Sequence, residues 1–394
     1  MSALLPLDVA QQRLLGLVSA TTAETVRLGE AQRRYLAAPL VAGRTQPAAR
    51  LSAMDGFAVC GDGPWTLIGE SRCGLPFAGP ITAGQAAKIS TGAHTPAGTD
   101  AIVLIEDAEL DGETLSCKYA GASGYFREAG SDFRSGETLL NAGSRLDAPQ
   151  MALAAMAGVS HVTVRTPPRV AIIECGDELT AEIGDCAPHL IPATNGLMLE
   201  MLATNERCRV TRGEPVADNL SALADALDRA AEHDLVVVSG GASVGDHDLV
   251  RPALEAIGAQ IDFWRIAMKP GKPLLVATRG TQIILGLPGN PVSSFVTGFL
   301  FMLPAIRKML GADLCSPAPV MMPCAVPLDP TGGRRTFTRG AVKDGAAHPL
   351  QNQDSGALAA LASADILIER PEHSPALKAG TDVPVYFIKN GGIA

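Results

Sequence analysis

Short apolar runs alternate with amphipathic stretches through the second half of this chain, and few folds accommodate such a pattern. After Pro167-Pro168, several runs are almost continuously apolar, as strands buried on both faces are. The expected elements are strands at Arg169–Glu174, Asp234–Ser239, 260–267 and 281–286, and helices near 195–205, after a capping Asp218, near 248–257 and at about 291–310. The alternation predicts an open, mostly parallel sheet with helices on both faces.

The segments on either side carry different patterns. Residues 6–38 have apolar residues at helical spacing, including a second amphipathic stretch at Arg33 to Leu36, and predict helix. The stretch 40–140 is rich in Gly, Pro, Thr and short β runs, while Pro149 suits the first turn of a helix over 148–158. Beyond Pro317, short alternating runs predict a small β-barrel or sandwich, and we expect the barrel. The predicted fold class is therefore α/β multidomain, with a central open mostly parallel sheet, β-rich domains and a C-terminal β-barrel.

These shifts in pattern also divide the chain. We expect four units: an N-terminal helical and β linker domain at 1–40 and 141–168, a β-rich domain at 41–140, an α/β domain at 169–315 and the C-terminal domain at 316–394.

Composition excludes several classes of protein. The 394 residues carry a formal net charge of −9 and no run of Lys or Arg, which disfavours a nucleic-acid or anionic-membrane partner. No apolar run reaches about 18 residues, and residues 1–20 lack the apolar core of a signal peptide, so we expect no membrane span and a cytoplasmic location. None of the 8 cysteines forms a CxxC pair, and no Cys/His set has zinc-ligand spacing.

The loop after the second buried strand is unusually rich in glycine. It reads Ser239-Gly-Gly-Ala-Ser-Val-Gly-Asp-His-Asp248. Gly240, Gly241 and Gly245 allow a close approach of the backbone to a ligand, and the Ser239 and Ser243 hydroxyls can hold phosphate oxygens. Taken alone, the loop fits a plain Gly-rich turn equally well.

Two further loops of this region carry groups suited to an anion. Lys269-Pro-Gly-Lys-Pro273 places Lys269 and Lys272 on a stiff turn, although a solvated basic turn is the common alternative. Leu287-Pro-Gly-Asn-Pro-Val-Ser293 comes directly before the long helix, with Asn290 as the expected cap and Pro291 in the first turn. Because ligands bind beyond the carboxyl ends of parallel strands, these loops predict a site for a phosphate-bearing anion, with Pro288 and Ser293 in the last of them.

Carboxylates recur near these loops and in the first half of the chain. They are Asp55, Asp132, Asp177, Glu178, Asp246 and Asp248. Two carboxylates at 4 Å repel by roughly 4 kcal/mol at an intermediate dielectric, so a converging set requires Mg²⁺ or lysines. Asp55, Thr91 and Asp132 each lie in a turn. Taken one at a time, each is explained more simply by a hydrogen bond from its side chain to the nearby backbone than by a functional role.

Six segments in order give the chain a specific resemblance. SAMDGFAV at 52–59, STGAHTPAGTDAIV at 90–103, GDEL at 176–179, SGGASVGDHD at 239–248, KPGKP at 269–273 and GLPGNPVS at 286–293 resemble the molybdopterin molybdenumtransferase family, which includes the E domain of gephyrin. The match runs from about residue 5 to the end of the chain.

The resemblance implies a four-domain chain, a homodimer and a Mg²⁺-dependent reaction. In that reaction adenylylated molybdopterin and molybdate give molybdenum cofactor and AMP. The residues it implies as functional are Asp55, Thr91, Asp132, Asp177, Glu178, Asp234, Asp248, Lys269, Lys272 and Ser355.

Within this set we expect catalytic roles for Asp55, Asp132, Glu178, Asp248, Lys269 and Lys272. The expected ligands of Mg²⁺ are Asp55, Asp246 and Asp248. The remaining positions are expected to bind the substrate: Thr91, Asp177, Asp234, Ser239, Gly240, Gly241, Ser243, Gly245, Pro288, Asn290, Pro291, Ser293 and Ser355. Partners would be a second copy of the chain, a molybdopterin adenylyltransferase and proteins that mature molybdoenzymes.

The sequence also departs from the family at a few positions. Cys175 stands where Thr is usual, Ala193 where Asp is frequent, and 46–51 lacks the usual acidic residue and Asn. Two alternatives stay open at this point: a non-catalytic scaffold or carrier that binds molybdopterin, and an adenylyltransferase acting one step earlier. The additional N- and C-terminal domains argue against the second.

Overall fold

The computed structural model describes residues 4–118, 124–184, 186–241 and 249–389. The helices and strands before residue 169 are α1 (Leu7–Leu17), β1 (Ala23–Arg27), β2 (Leu40–Val41), β3 (Leu51–Ser52), β4 (Gly56–Val59), β5 (Trp65–Ser71), β6 (Gln85–Ile89), β7 (Ala101–Leu104), β8 (Ala108–Asp111), β9 (Thr114–Cys117), β10 (Phe126–Arg127), β11 (Thr138–Leu140), α2 (Ala148–Met156) and β12 (His161–Arg165). Strands β4 to β9 form one sheet in the order β7-β4-β6-β5-β9-β8, and β1 pairs antiparallel with β12.

The prediction of helix over 6–38 is wrong beyond Leu17. Ala23–Arg27 is a strand instead, because its Thr25 and Val26 pair with Thr163 and Val162 of β12. The stretch at Arg33 to Leu36 forms no helix either, and the buried Tyr35 donates its hydroxyl to Glu206 at 3.1 Å. Tertiary contacts thus override the helical spacing in this segment.

The central region contains the predicted strand and helix alternation. Its elements are β13 (Arg169–Glu174), β14 (Leu179–Thr180), β15 (Ile191–Pro192), α3 (Asn195–Asn205), β16 (Arg209–Arg212), α4 (Leu220–Arg229), β17 (Leu235–Ser239), α5 (Val250–Ala256), β18 (Gln260–Trp264), β19 (Met268–Lys269), β20 (Leu275–Arg279), β21 (Gln282–Leu287), α6 (Pro291–Thr297) and α7 (Leu303–Met309).

Six strands form the central sheet in the order β16-β13-β17-β21-β20-β18. Strands β16, β13, β17 and β21 run parallel, whereas β20 runs in the opposite direction and pairs antiparallel with both β21 and β18. The sequence pattern missed two of these strands, the edge strand β16 and β20. A second strand directly before β21 breaks the alternation of strand and helix. Alternate residues of β17 point to opposite faces: Val237 packs against the core that contains α3 and α6, and Val236 against α4 and α5.

Two predicted helix caps are corrected by the structure. The side chain of Asn219, and not of Asp218, accepts the Ser221 and Ala222 N–H groups at the start of α4. Asn290 does occupy the cap position of α6, with Pro291 in the first turn, but its side chain makes no cap hydrogen bond. Asp218 and Asn290 both line a cavity at the carboxyl edge of the central sheet.

The helix predicted at 291–310 is continuous, with a π-helical turn at Gly298–Met302 between α6 and α7. Over 291–309 it is long and apolar enough to cross a membrane by length and composition, but 94% of its most apolar window is buried inside the protein. It is the central helix of the main hydrophobic core, packed on α3 and α1.

The C-terminal region is formed by β22 (Val320–Pro323), β23 (Arg335–Lys343), β24 (Ala346–Pro349), α8 (Leu358–Ser363), β25 (Ile366–Arg370) and β26 (Asp382–Phe387). Its sheet has the order β19-β23-β25-β26-β22, so a two-residue strand of the central region joins it at one edge. The α/β multidomain class is confirmed, while the closed C-terminal barrel stays a prediction.

Candidate active site

A cavity of about 530 Å³ opens at the carboxyl ends of β13, β17 and β21. This is the edge of a parallel sheet at which ligands bind. The predicted site residues that line it are Glu178, Ser239, Gly240, Gly241, Pro288, Asn290 and Pro291. The loops chosen from sequence therefore do meet around one space.

Asn195, the first residue of α3, ties two of these loops together. Its Nδ2 donates to Ser239 Oγ at 3.0 Å and to the Gly289 carbonyl at 2.6 Å. The residue is 9% exposed, and its Oδ1 is buried with no hydrogen-bond partner in the described part of the chain. Asn195 lines the cavity, so this unpaired acceptor belongs to the cavity wall.

Gly240 allows the loops after β13 and β17 to touch. Its φ is +100°, and a Cβ at this position would lie 2.1 Å from the Cys175 carbonyl oxygen. Only glycine fits both the backbone conformation and the close approach. The described part of the Gly-rich loop is thus held directly against the neighbouring strand end.

Asp218 is a cavity residue that the sequence analysis did not select. Its backbone N–H donates to Asp177 Oδ1 at 2.9 Å, and the Asp177 N–H donates back to Asp218 Oδ2 at 3.4 Å. The Cys175 thiol donates to Asp218 Oδ1 at 3.3 Å. Burial, and then the neighbouring Asp218, raise the pKa of Cys175 to about 12, so this thiol stays protonated at neutral pH. Asp218 lies in the loop after β16, an edge strand of the same parallel sheet. A position after a parallel strand could have indicated from the sequence that Asp218 lies near the site.

Glu174, also missed from sequence, ends β13 beneath the cavity and is 5% exposed. Burial raises the pKa of its carboxyl, while hydrogen bonds from the Gly196 and Asn195 N–H groups and the charge of Arg212 oppose that rise. A carboxylate at these N–H groups stabilises the start of α3 and so helps to fix Asn195.

Ser355 brings the C-terminal region to the rim of the cavity. Asn290 Nδ2 donates to Ser355 Oγ at 2.9 Å, and the Val292 N–H donates to the Ser355 carbonyl at 3.0 Å. Ser293 is buried within α6 and does not line the cavity. The predicted pair Asn290 and Ser355 is therefore in direct contact across two regions of the chain.

The lysine loop contributes to two cavities. Pro273 lines the one at the sheet edge, and Lys269 lines a second one that belongs to the C-terminal region. Lys272 is half-buried, and its carbonyl accepts the Ile266 N–H at 3.0 Å. Neither Lys269 nor Lys272 lines the sheet-edge cavity.

Several predicted residues lie elsewhere. Asp55 Oδ1 accepts the Thr91 N–H at 2.7 Å in the β-rich part of the chain, and the Asp132 N–H donates to the Gln46 carbonyl at 3.1 Å. Asp234 precedes β17 at the opposite edge of the sheet, where its carboxylate accepts the Arg169 N–H at 2.7 Å. Ser243, Gly245, Asp246 and Asp248 lie outside the described residues.

Side chains that line the cavity carry carboxylates, the groups that the predicted Mg²⁺ would need. Glu178 and Asp218 both line it. Mg²⁺ typically takes one or two carboxylates and completes its shell with water and substrate phosphates. Within the residues that the structure describes, no cluster of three or more His, Cys, Asp or Glu side chains could hold a metal without such help.

Fold and site together define a multidomain α/β protein with a polar cavity at the carboxyl edge of its parallel sheet, the edge at which ligands bind in such folds. Three family descriptions match the chain in order: MoeA N-terminal region (domain I and II) over residues 5–158, probable molybdopterin binding domain over 171–308, and MoeA C-terminal region (domain IV) over 322–388. The chain belongs to the molybdopterin molybdenumtransferase family, as the matches to whole proteins also show.

Those matches extend over most of the chain. The molybdopterin molybdenumtransferase of Haemophilus influenzae is 33% identical over 347 residues, which are 86% of each protein. That of a Nostoc species is 34% identical over 388 residues, covering 92% of this chain and 88% of the relative. A solved molybdopterin biosynthesis MoeA protein from Pyrococcus horikoshii superposes with a TM-score of 0.84 at 26% identity, over 97% of this chain and 99% of that structure.

Proposed function

We propose that this chain inserts molybdate into adenylylated molybdopterin and releases AMP, as a Mg²⁺-dependent transferase of molybdenum cofactor biosynthesis. The observation that carries the proposal is the cavity where the loops after three parallel strands converge with Ser355. Relatives that are 33% and 34% identical over most of the chain are named for this activity.

The cavity supplies groups for each part of such a substrate. The backbone N–H group of Gly241 and the Ser239 hydroxyl suit the phosphate, whereas the Gly240 N–H donates to the Leu287 carbonyl at 3.2 Å. Asn195 Oδ1 suits a donor on the organic part of the ligand, since it is buried and has no other partner among the described residues. Lys272 and Lys269 do not line this cavity, and from the loop that brings Pro273 to it they would offset the charge of the incoming oxyanion and of the phosphate that leaves.

Mg²⁺, when bound by Glu178 and Asp218 together with substrate phosphates, would offset negative charge as AMP departs. The chain's own groups hold the ligand against the sheet edge and keep its phosphate aligned. The fixed network of Asp218, Asp177 and Cys175 keeps the carboxylate of Asp218 oriented toward the cavity.

The remaining expectations belong to this proposal as well. We retain the catalytic set Asp55, Asp132, Glu178, Asp248, Lys269 and Lys272, together with the four-domain division, the C-terminal barrel and the cytoplasmic location. The predicted metal ligands Asp55, Asp246 and Asp248 stay the alternative to Glu178 and Asp218 for holding Mg²⁺. Asp234 is left out, because its bond to Arg169 places it away from the cavity. A homodimer would allow Asp55, which does not line the cavity of its own chain, to reach that of a second copy.

The test is AMP release from adenylylated molybdopterin, measured with and without molybdate in the presence of Mg²⁺. We expect release to depend on molybdate, and Asp55→Asn to reduce it at least about a hundredfold. Asp62→Asn, an exposed aspartate of the same region, serves as the matched control and should retain full activity. Tight binding without release would instead favour a non-catalytic carrier.

A further inference from the structure

Arg50 lies in 46–51, the segment that departs from the family pattern, shortly before the turn that carries Asp55. Its side chain contacts two other segments of the β-rich part of the chain. We infer that Arg50 is a positioning residue for Asp55, because it fixes this turn against the loop that carries Thr91. Asp55 belongs to the catalytic set of the proposed function, on which this inference rests.

The guanidinium of Arg50 holds the loop that follows Thr91. Its Nε donates to Thr95 Oγ1 at 3.3 Å, and its Nη2 donates to the carbonyl of the buried Thr99. The hydroxyl and the N–H of Thr95 both donate back to the Arg50 carbonyl, at 3.1 Å and 3.0 Å. Arg50 is therefore bonded to this loop through its side chain and through its backbone.

The second segment is bound through an aromatic ring. Arg50 Cζ lies 4.2 Å from the centroid of the Phe126 ring, and Phe126 itself pairs with Ser52 between β10 and β3. Both side-chain acceptors of Arg50, on Thr95 and Thr99, are neutral, so the role of the guanidinium is to fix geometry. A lysine would keep the charge but lose the planar stack and the fixed spacing of the two donors.

The loop that Arg50 holds is also the loop that bonds Asp55. The two segments are joined by backbone hydrogen bonds, including one from the Ser52 N–H to the Ala93 carbonyl at 2.9 Å. Directly beyond them, the Thr91 N–H donates to Asp55 Oδ1 at 2.7 Å. Arg50 lies at one end of this short ladder and the Asp55 carboxylate at the other. Loss of the Arg50 contacts would therefore loosen the hold on Asp55.

Asp55 needs such support because it is not held by packing. Both Asp55 and Thr91 are exposed, so the hydrogen bond between them depends on how firmly the turn and the loop are joined. A displacement of about 1 Å at a catalytic group can lower a rate by about a hundredfold. A distant clamp such as Arg50 can thus affect the reaction without touching the substrate.

Variants of Arg50 in the purified full chain test the assignment, with AMP release as the kinetic readout. We expect Arg50→Met to lower kcat by about tenfold and to leave KM within about twofold of wild type, because Asp55 is proposed to act in the reaction and not in substrate binding. Arg50→Lys should lower kcat less. Arg72→Met is the matched control, since Arg72 is an exposed arginine of the same region, and it should keep the wild-type kcat.

A double variant separates positioning from a general structural role. If Arg50 acts through Asp55, Arg50→Met should cause no further loss of kcat in a protein that already carries Asp55→Asn. A further loss of about tenfold in the double variant would show that the two residues act independently. That result would overturn the inference.

Hydrogen exchange at the Thr91 N–H, followed by mass spectrometry on the free protein, tests the same contact without the reaction. We expect exchange to be about tenfold faster in Arg50→Met and unchanged in Arg72→Met. Faster exchange in a protein that shows no molybdate-dependent AMP release would support the positioning role and reject the transferase. Molybdate-dependent AMP release together with unchanged exchange in Arg50→Met would overturn the positioning role and leave the transferase in place.

Discussion

Replacing Asn195 by alanine should weaken both the fold and the reaction, because this side chain joins the loops after β17 and β21. The change removes the donor to Ser239 Oγ at 3.0 Å and the donor to the Gly289 carbonyl at 2.6 Å. Each hydrogen bond contributes about 0.5–1.5 kcal/mol net. Ser239 keeps Ser294 Oγ at 3.3 Å as a partner, and the exposed Gly289 can be rehydrated, so neither group is left buried without a bond.

The expected loss is therefore about 2 kcal/mol in the free energy of unfolding, measured by urea denaturation. For AMP release, a comparable loss of positioning lowers kcat/KM by roughly thirtyfold. Asn205→Ala, at the exposed end of the same helix, is the matched control and should stay within about 0.5 kcal/mol of wild type.

The result that would refute this reasoning is an Asn195→Ala protein with wild-type stability and wild-type kcat/KM. It would mean that the two loops hold their positions without the amide. A loss of stability with unchanged kcat/KM would restrict Asn195 to the fold and remove it from the proposed site.

Two further predictions concern neighbouring residues. Gly240→Ala places a Cβ 2.1 Å from the Cys175 carbonyl oxygen at a φ of +100°, and it should lower the free energy of unfolding by about 3 kcal/mol. Gly213→Ala is the control, because Gly213 has open space around it, and it should change the free energy of unfolding little. Equal urea midpoints for the two variants would contradict the geometry. The pKa of the Glu174 carboxyl is higher in the folded protein than its ordinary value of 4.5 in the unfolded chain. The free energy of unfolding should therefore fall as the pH rises from 4.5 through the raised pKa of the folded state. Glu174→Gln should remove this part of the pH dependence, and an unchanged slope in urea titrations of the variant would show that another group causes it.

The loops that form the sheet-edge cavity were identifiable from the sequence because their local requirements are strict. Buried parallel strands need continuous apolar runs, as in β13 and β17, and the turn after β17 needs glycine where the backbone passes the Cys175 carbonyl. The order of strands and helices then places the ends of those strands on one edge.

Other features depended on contacts between residues far apart in the chain. The segment after Leu17 has helical spacing, but pairing with β12 makes Ala23–Arg27 a strand. Asp218 was assigned as a helix cap from its position before α4, although Asn219 takes that role and Asp218 bonds to the loop after β13. The side chain of Asp218 thus bonds to Cys175, which is far away in the sequence, and does not cap the helix that follows it directly.

By itself the sequence determined four of the six strands of the central sheet, the loops at its carboxyl edge and the family, because each depends on residues close together in the chain. Only the tertiary structure decided which polar groups meet there. Asn195, Asp218 and Pro273 line the sheet-edge cavity. Lys269, from the same loop as Pro273, lines a different cavity together with Arg334 and Arg370. Those contacts depend on how α3, the edge strand and the C-terminal sheet pack together, and short-range patterns carry no information about that packing.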